Sequence, residues 1–301
     1  MFNLITGASG FVGKNLIPYL EGKGLRNRII SRSELNDFNP DNLSDCISII
    51  HLAGKAHDLS KTSNPDEYYH VNYELTKRLY DAFLSSKAKQ FIFVSSVKAA
   101  ADEVKGVLLE EGIPNPKTVY GKSKLMAEEY IKSQPLPEGK SYFILRPCMI
   151  HGPGNKGNLN LLYQVVRKGI PYPLAGFENK RSFLSVENLC FVINELITRT
   201  DIPSGVYNVA DDETQSTSDV VTILAASLHK KVKLWAISPS LIRFIASIGT
   251  RLHLPLTTER LTKLTESYIV SNEKLTWALN KPFPLSAQKG LEITASSFRK
   301  A

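Results

Sequence analysis

Tyr120 and Lys124 stand four positions apart in "TVYGKSK" (118–124). Four residues is just over one α-helical turn, so on a helix the phenol and the ammonium share one face. Alone, such a pair is a solvated surface contact. Beside a hydroxyl and a second cation it becomes an acid–base device: a phenol with an ordinary pKa of about 10 exchanges protons at neutral pH once nearby positive charge favours its phenolate. Ser96 ends the apolar run "KQFIFVSS" (89–96) with a hydroxyl. Its plain structural reading is a cap on the end of a strand.

A second constellation stands at the N-terminus. "LITGASGFVG" places Gly7, Gly10 and Gly13 directly after an apolar run and at the head of an amphipathic helical pattern. Gly7 permits a tight turn, Gly10 lets backbone N–H groups approach a pyrophosphate, and Gly13 allows helix to pack closely on strand. The helix N-terminus favours the anion. The spacing is GxxGxxG, not GxGxxG, but the strand–turn–helix context is that of a dinucleotide-binding turn. The next strand ends "IISRSE", with Ser31 and Arg32 where a ribose-binding acid is expected, and an Arg there suits a 2′-phosphate. The expected cofactor is NAD(P)(H), with NADP(H) favoured. Glu34 and Asp37 leave NAD(H) open, since either could fold back to the ribose.

These residues need elements to position them. "FNLIT" (2–6), "NRIIS" (27–31), "ISIIHLA" (47–53), "KQFIFVSS" (89–96) and "SYFILRP" (141–147) read as strands buried on both faces. Helical patterns at about 11–22, 66–87 and 117–133 alternate with them, the signature of right-handed βαβ units. The fold class is therefore α/β, a doubly wound parallel sheet of the Rossmann type. After Pro147 the texture changes to Gly-, Pro- and Asn-rich loops around a helical pattern near 158–168, followed by patterns at 186–198, 217–228, 239–252 and 286–299. This predicts a smaller, irregular substrate lobe at the carboxyl edge of the sheet, where open α/β sheets bind ligands. The expected division is 1–150 for the NAD(P)-binding domain, with 181–212 returning to it, and 151–180 with 213–301 mainly for the lobe.

Composition narrows the class. The 301 residues are 43% hydrophobic and 22% charged, enough for a large core in one or two closely joined domains. The net charge is +8 and the pI about 9.2, but Lys and Arg lie along the whole chain without a block, so no nucleic-acid partner is expected. No apolar stretch reaches the roughly 18 to 20 residues of a membrane span. The start carries no basic leader, and a cytoplasmic protein is expected. Cys46, Cys148 and Cys190 are scattered, as are the six histidines, which argues against a metal or a disulfide framework. His51 should pack inside the sheet, while His57 and His151 read as loop residues near the cleft.

Read together, "TGASGFVG" (6–13), "IIHLAG" (49–54), "HVNYELTKRL" (70–79), "FIFVSS" (91–96), "YGKSKLMAEE" (120–129), "LRP" (145–147), "RSFLSVENL" (181–189) and "YNVADDE" (207–213) resemble the extended short-chain dehydrogenase/reductases, in their NAD-dependent epimerase/dehydratase branch. Within it the chain is similar to enzymes of bacterial surface-polysaccharide synthesis acting on UDP-linked N-acetylhexosamines. The resemblance implies catalysis by Ser96, Tyr120 and Lys124. It implies cofactor contacts from Gly7, Ser9, Gly10, Phe11, Val12 and Gly13, from Arg32, from Leu52, Ala53 and Gly54, from Asn72, and from Val94, Ser95, Tyr120, Lys124 and Pro147. Arg181 matches a position that contacts the sugar nucleotide's phosphates, and Lys98, Met149 and Asn158 complete the expected substrate set. A homodimer through the helices at 66–87 and 117–133 is also implied.

Departures sharpen the reading. After Ser96 the chain reads "VKAAADEV", without the acidic pair that follows the hydroxyl in many relatives, which weakens a 4,6-dehydratase assignment. Met149 stands where many 4-epimerases carry Asn. The expected reaction is NAD(P)-dependent hydride transfer at position 4 of a nucleotide-linked sugar: reduction of a UDP-4-keto-6-deoxy-N-acetylhexosamine, with 4-epimerisation of UDP-glucose or UDP-N-acetylglucosamine as the alternative. A non-catalytic NADP-binding sensor is the alternative of another class, and it has no need of all three of Ser96, Tyr120 and Lys124.

Overall fold

A computed structural model describes residues 1–36, 38–55, 64–155, 157–252 and 256–299; Asp37, His57 and the side chain of Asn158 lie outside the described set. The first half of the chain runs β1 (Phe2–Thr6), α1 (Phe11–Gly22), β2 (Asn27–Ile30), α2 (Arg32–Asn36), β3 (Cys46–His51), α3 (Pro65–Tyr69), α4 (Leu75–Ser85), β4 (Gln90–Val94), β5 (Val107–Leu108), α5 (Val119–Ser133) and β6 (Ser141–Pro147). The second half runs β7 (Met149–His151), α6 (Asn158–Arg167), β8 (Phe183–Ser185), α7 (Val186–Thr198), β9 (Gly205–Val209), α8 (Thr217–Ser227), α9 (Pro239–Arg251), α10 (Thr258–Thr265), β10 (Ile269–Val270), α11 (Glu273–Leu279) and α12 (Ala287–Ser297).

Six parallel strands form the central sheet in the order β2-β1-β3-β4-β6-β9. Order reverses between β1 and β3, the kind of switch point at which α/β sheets bind ligands. Every residue of β4 is buried, because helices cover both faces. One core holds Leu16 and Leu20 of α1 with Ile193 and Leu196 of α7; the other holds Leu79 and Phe83 of α4 with Ala127 and Ile131 of α5. A third core belongs to the C-terminal lobe and gathers Tyr163, Val221, Leu224, Ile242, Ala246 and Leu291.

The doubly wound α/β class read from the sequence is the observed one. Three local expectations change. The pattern at 66–87 is not one helix: α3 and α4 are joined by a π-helical turn, His70–Glu74. Residues 148–154 are not all loop, because Met149–His151 form β7 and pair in parallel with β8. His151 accordingly lines no cleft; it is fully buried, with Nδ1 hydrogen-bonded to Thr294 Oγ1 at 2.8 Å and Nε2 3.8 Å from Asp211. The short pair β5–β10 ties the segment after Ser96 to the C-terminal region. No helix among the described residues is long and apolar enough to cross a membrane.

Candidate active site

Ser96 lies two residues past the end of β4 and caps a 3-10 turn, Val97–Ala99, its Oγ accepting from the Lys98 N–H at 3.2 Å. Opposite it, α5 begins at a heavily fixed point. Thr118 is the N-cap, its Oγ1 accepting from the Gly121 N–H at 3.2 Å. The Asp102 carboxylate in turn accepts from the backbone of Lys117 (2.6 Å) and Thr118 (3.2 Å) and from the Thr118 hydroxyl (3.2 Å). Gly121 completes the fit: a Cβ there would lie 2.4 Å from the Lys98 carbonyl oxygen and 2.8 Å from Pro116. Only glycine lets the first turn of α5 press against the turn after Ser96.

The result is that the Ser96 hydroxyl and the Tyr120 phenol are brought together. Burial pushes the Tyr120 phenol up, opposed by the Ser96 hydroxyl and aided by Tyr68, whose ring meets it edge-on at 6.5 Å. One turn further along α5, Lys124 is buried, donates to the Val94 carbonyl at 3.0 Å and lies 4.7 Å over the Phe93 ring. Burial holds its ammonium down at about 8, against the attraction of Glu128. Another turn on, the fully buried Glu128 takes both Nε (3.1 Å) and Nη2 (2.6 Å) of Arg146 and the Ser95 hydroxyl (2.5 Å). Tyr120, Lys124 and Glu128 thus form one row, its rear member locked to β6.

The glycine turn has the shape of an anion cradle. Gly7 is left-handed (φ +71°), and a Cβ on it would meet the Ala53 backbone at 2.5 Å; on Gly13 it would meet Ala8 at 2.6 Å. Gly10 caps α1 with no side chain on the first N–H groups, and no acid stands in the first turn. Ser9 and Gly10 are exposed there, while Phe11, Val12 and Leu52 pack partly against the core beneath. Open N–H groups at a helix start suit a pyrophosphate.

A buried relay joins this turn to α5. The Ala53 N–H donates to Thr6 Oγ1 (3.2 Å), Thr6 bonds His51 Nδ1 (2.7 Å), His51 Nε2 bonds Thr76 Oγ1 (2.9 Å), and Thr76 donates to the Asn72 carbonyl (2.9 Å). Burial above all, and Lys124 after it, keeps His51 neutral, its pKa held down at about 3. Because the Thr76 proton is spent on Asn72, the imidazole proton sits on Nε2. Asn72, in the π turn, accepts from the Lys55 N–H (2.8 Å) and donates to the Lys55 carbonyl (3.2 Å) and the Ser123 hydroxyl (3.0 Å). A Cβ on Gly54 would stand 3.0 Å from both Asn72 Oδ1 and Lys124 Nζ. The residues expected at the cofactor after β3, on the π turn and on α5 therefore lie together, and with the open cradle their donors fit a dinucleotide.

At the end of β2, Glu34 and Ser31 cap each other: Glu34 Oε2 accepts from the Ser31 N–H (2.8 Å), and Ser31 Oγ from the Glu34 N–H (3.2 Å). The Ser31 side chain first, and its backbone N–H second, hold the Glu34 carboxyl below its ordinary range. Arg32 is exposed beside it.

On the substrate side, Lys98 donates to the Asp102 carbonyl (2.7 Å) and lies 4.6 Å over the Tyr268 ring, and burial lowers its pKa. Arg181 donates to the carbonyls of Glu266 (3.1 Å) and Lys263 at the end of α10 and sits 3.7 Å from the Glu266 carboxylate. The two cations thus share one charged group, closed by the Tyr268 hydroxyl on the Ala101 carbonyl (2.7 Å). Met149 packs against the lobe core, and Pro147 is buried at the end of β6.

Asp102, Gly121, Glu128 and Arg146 were not singled out from the sequence. Glu128 was reachable, standing four residues after Lys124 on the same face. Asp102 was not, since nothing local links it to a helix start fifteen residues on.

The chain is similar to known proteins in sequence and fold. Residues 3–210 match the model of the NAD dependent epimerase/dehydratase family. The chain is 30% identical to UDP-glucose 4-epimerase of Vibrio cholerae, over 99% of this chain and 95% of that one. It is 27% identical to GDP-6-deoxy-D-mannose reductase of Pseudomonas aeruginosa, over 73% of this chain and 78% of that one. The solved structure of MoeE5 in complex with UDP-glucose and NAD superposes with a TM-score of 0.78 at 21% identity, covering 100% of this chain and 99% of that one. The chain is therefore an enzyme and belongs to the NAD dependent epimerase/dehydratase family, within the extended short-chain dehydrogenase/reductases.

Proposed function

We propose that this enzyme reduces the 4-keto group of a UDP-linked 4-keto-6-deoxy-N-acetylhexosamine, using NADPH. The observation that carries the reading is a Tyr120 phenol that burial keeps protonated, with the Ser96 hydroxyl beside it. Such a phenol is a proton donor at neutral pH, which a carbonyl becoming an alcohol requires. When bound, the reduced nicotinamide supplies the hydride. Ser96 donates to the keto oxygen and orients it, and Tyr120 gives its proton to that oxygen as negative charge develops there. Lys124, charged below about pH 8, stabilises the phenolate left behind until solvent restores its proton.

The end of β2 supports NADPH. Glu34 is held by Ser31, and the exposed guanidinium of Arg32 beside it suits a 2′-phosphate. A reductase must also exchange its cofactor each turnover, as a NADPH-using enzyme does. In this reading the cofactor lies on residues 1–150 with 181–212, and the sugar nucleotide against 151–180 and 213–301. Lys98, Met149, Asn158 and Arg181 face the sugar or its phosphates, Lys98 and Arg181 after release from their present partners. The enzyme works in the cytoplasm as a homodimer through α4 and α5.

A second reading, 4-epimerisation of UDP-glucose or UDP-N-acetylglucosamine, is favoured by the similarity to UDP-glucose 4-epimerase along almost the whole chain. Incubation with UDP-N-acetylglucosamine, UDP-glucose and the 4-keto-6-deoxy derivative, each with and without NADPH, separates the two. Consumption of the keto sugar only when NADPH is present is expected. Conversion of UDP-glucose or UDP-N-acetylglucosamine to its 4-epimer without added cofactor would overturn the reductase reading.

A further inference from the structure

Helix α9 is apolar on two sides. Ile242, Ala246 and Gly249 are buried against the lobe. Leu241, Phe244, Ile245, Ile248 and Leu252 are not: they are 38 to 64% exposed and follow one another at helical spacing in a stripe turned about 100° from the buried one. Packing against the protein explains the first stripe and leaves the second without a role. The segment leading into α9 adds Trp235, 56% exposed, and the exposed Val232 and Leu234.

Charge says what this face meets. Between His229 and Leu252 stand Lys230, Lys231, Lys233, Arg243 and Arg251 and no acidic residue, against a formal net charge of +8 for the whole chain. The even spread of charge along the sequence therefore does not hold here. A second copy of the chain is a poor occupant, because a two-fold contact would set five cations against five. A helix with Leu, Ile and Phe on its exposed side and Trp beside it, in a stretch whose charges are all cations, is the pattern of interfacial attachment to anionic lipid. At thirteen residues α9 lies on a bilayer and does not cross it.

We propose that the surface formed by residues 230–252 docks on the anionic phospholipid face of a membrane, with the α9 stripe seated at the headgroup–acyl boundary. The docking surface belongs to the lobe: Ala236 pairs with Leu174, and Arg243 lies 5.4 Å over the Phe177 ring, four residues before Arg181. The inference does not depend on which sugar is reduced, and its test needs no turnover.

Co-sedimentation of the full chain with vesicles of phosphatidylglycerol and phosphatidylethanolamine, and with vesicles of phosphatidylcholine, is the measurement. Binding to the anionic vesicles that weakens as salt is raised is expected, with little binding to phosphatidylcholine. Leu241→Ser/Phe244→Ser should lower the partition coefficient by about tenfold or more, and Lys231→Gln/Arg251→Gln should weaken binding and its salt dependence, three of the five cations remaining. Both variants should keep the wild-type unfolding temperature and cofactor binding, since these side chains are on the surface. Absence of binding to anionic vesicles at low salt, or variants that bind as the wild type does, would overturn the proposal. So would a wild-type dimer that the same substitutions dissolve while vesicles are ignored.

Discussion

Ser96 and Tyr120 meet across the gap between the end of β4 and the first turn of α5. The serine hydroxyl favours the phenolate, and burial opposes it more strongly. Removing Ser96 therefore raises the Tyr120 pKa further. For a reaction that needs the protonated phenol, the alkaline limb of the kcat profile in Ser96→Ala should move to higher pH while kcat falls about 10- to 1,000-fold. Tyr120→Phe should lose about 100- to 10,000-fold and show no such limb. A Ser96→Ala limb unmoved or moved to lower pH would contradict the assigned roles.

Lys124 separates stability from activity. Its buried ammonium has a pKa of about 8 in the fold against 10.5 in a free chain, so the unfolded chain binds its proton more readily and the folded state is penalised below about pH 8. The penalty approaches roughly 3 kcal/mol at neutral pH and fades as pH rises from 8 to 10.5. Lys124→Met should thus be at least as stable as the wild type at pH 7 in denaturant melts, with the difference shrinking by pH 10, while turnover falls about 100-fold or more. A variant destabilised at pH 7 would show that the Val94 bond and the Glu128 attraction outweigh burial.

Gly121→Ala tests the seat of α5. The added carbon would fall 2.4 Å from the Lys98 carbonyl oxygen, so the helix start must withdraw and take Tyr120 with it. A loss of about 100-fold in kcat is expected from a displacement near 1 Å, with a drop of about 1 to 3 kcal/mol in stability. Gly22→Ala, on the same scaffold but facing open space, should leave both unchanged.

Arg32→Ala addresses the cofactor. Loss of its guanidinium should raise KM for NADPH about 10- to 100-fold and leave KM for NADH nearly unchanged. Equal effects on both cofactors would remove the 2′-phosphate from its role.

Legibility followed the range of the interaction. Five of the six sheet strands and the glycine turn were readable because burial on both faces and a strand–turn–helix passage leave continuous local patterns. The sixth strand, "GVYNV", is short, opens on glycine and ends on the polar "ADDE", so its place at the sheet edge comes from β6 and not from itself. At the site, Tyr120 and Lys124 were visible as a helical pair. The parts that hold them, Asp102 beneath the start of α5 and Arg146 behind Glu128, lie fifteen or more residues from what they hold, beyond any periodic signal. Lys98 and Arg181 were read by position alone, and their ties to Asp102, Tyr268 and Glu266 depend on how the C-terminal lobe returns to the sheet.

The π turn at His70–Glu74 acts as a change of phase. One extra residue in a turn rotates everything beyond it by about 100°, so Tyr68, which a regular helix would stack with Leu75, meets the Tyr120 ring, while Leu75 and Leu79 enter the core and Asn72 reaches Lys55 and Ser123. A regular helix would have to choose between filling the core and bridging the loop after β3 to α5. Deleting a single residue there would keep every apolar side chain in the composition and still put the rod out of register with the sheet, making the length of this stretch as much a part of the site as the identity of Asn72.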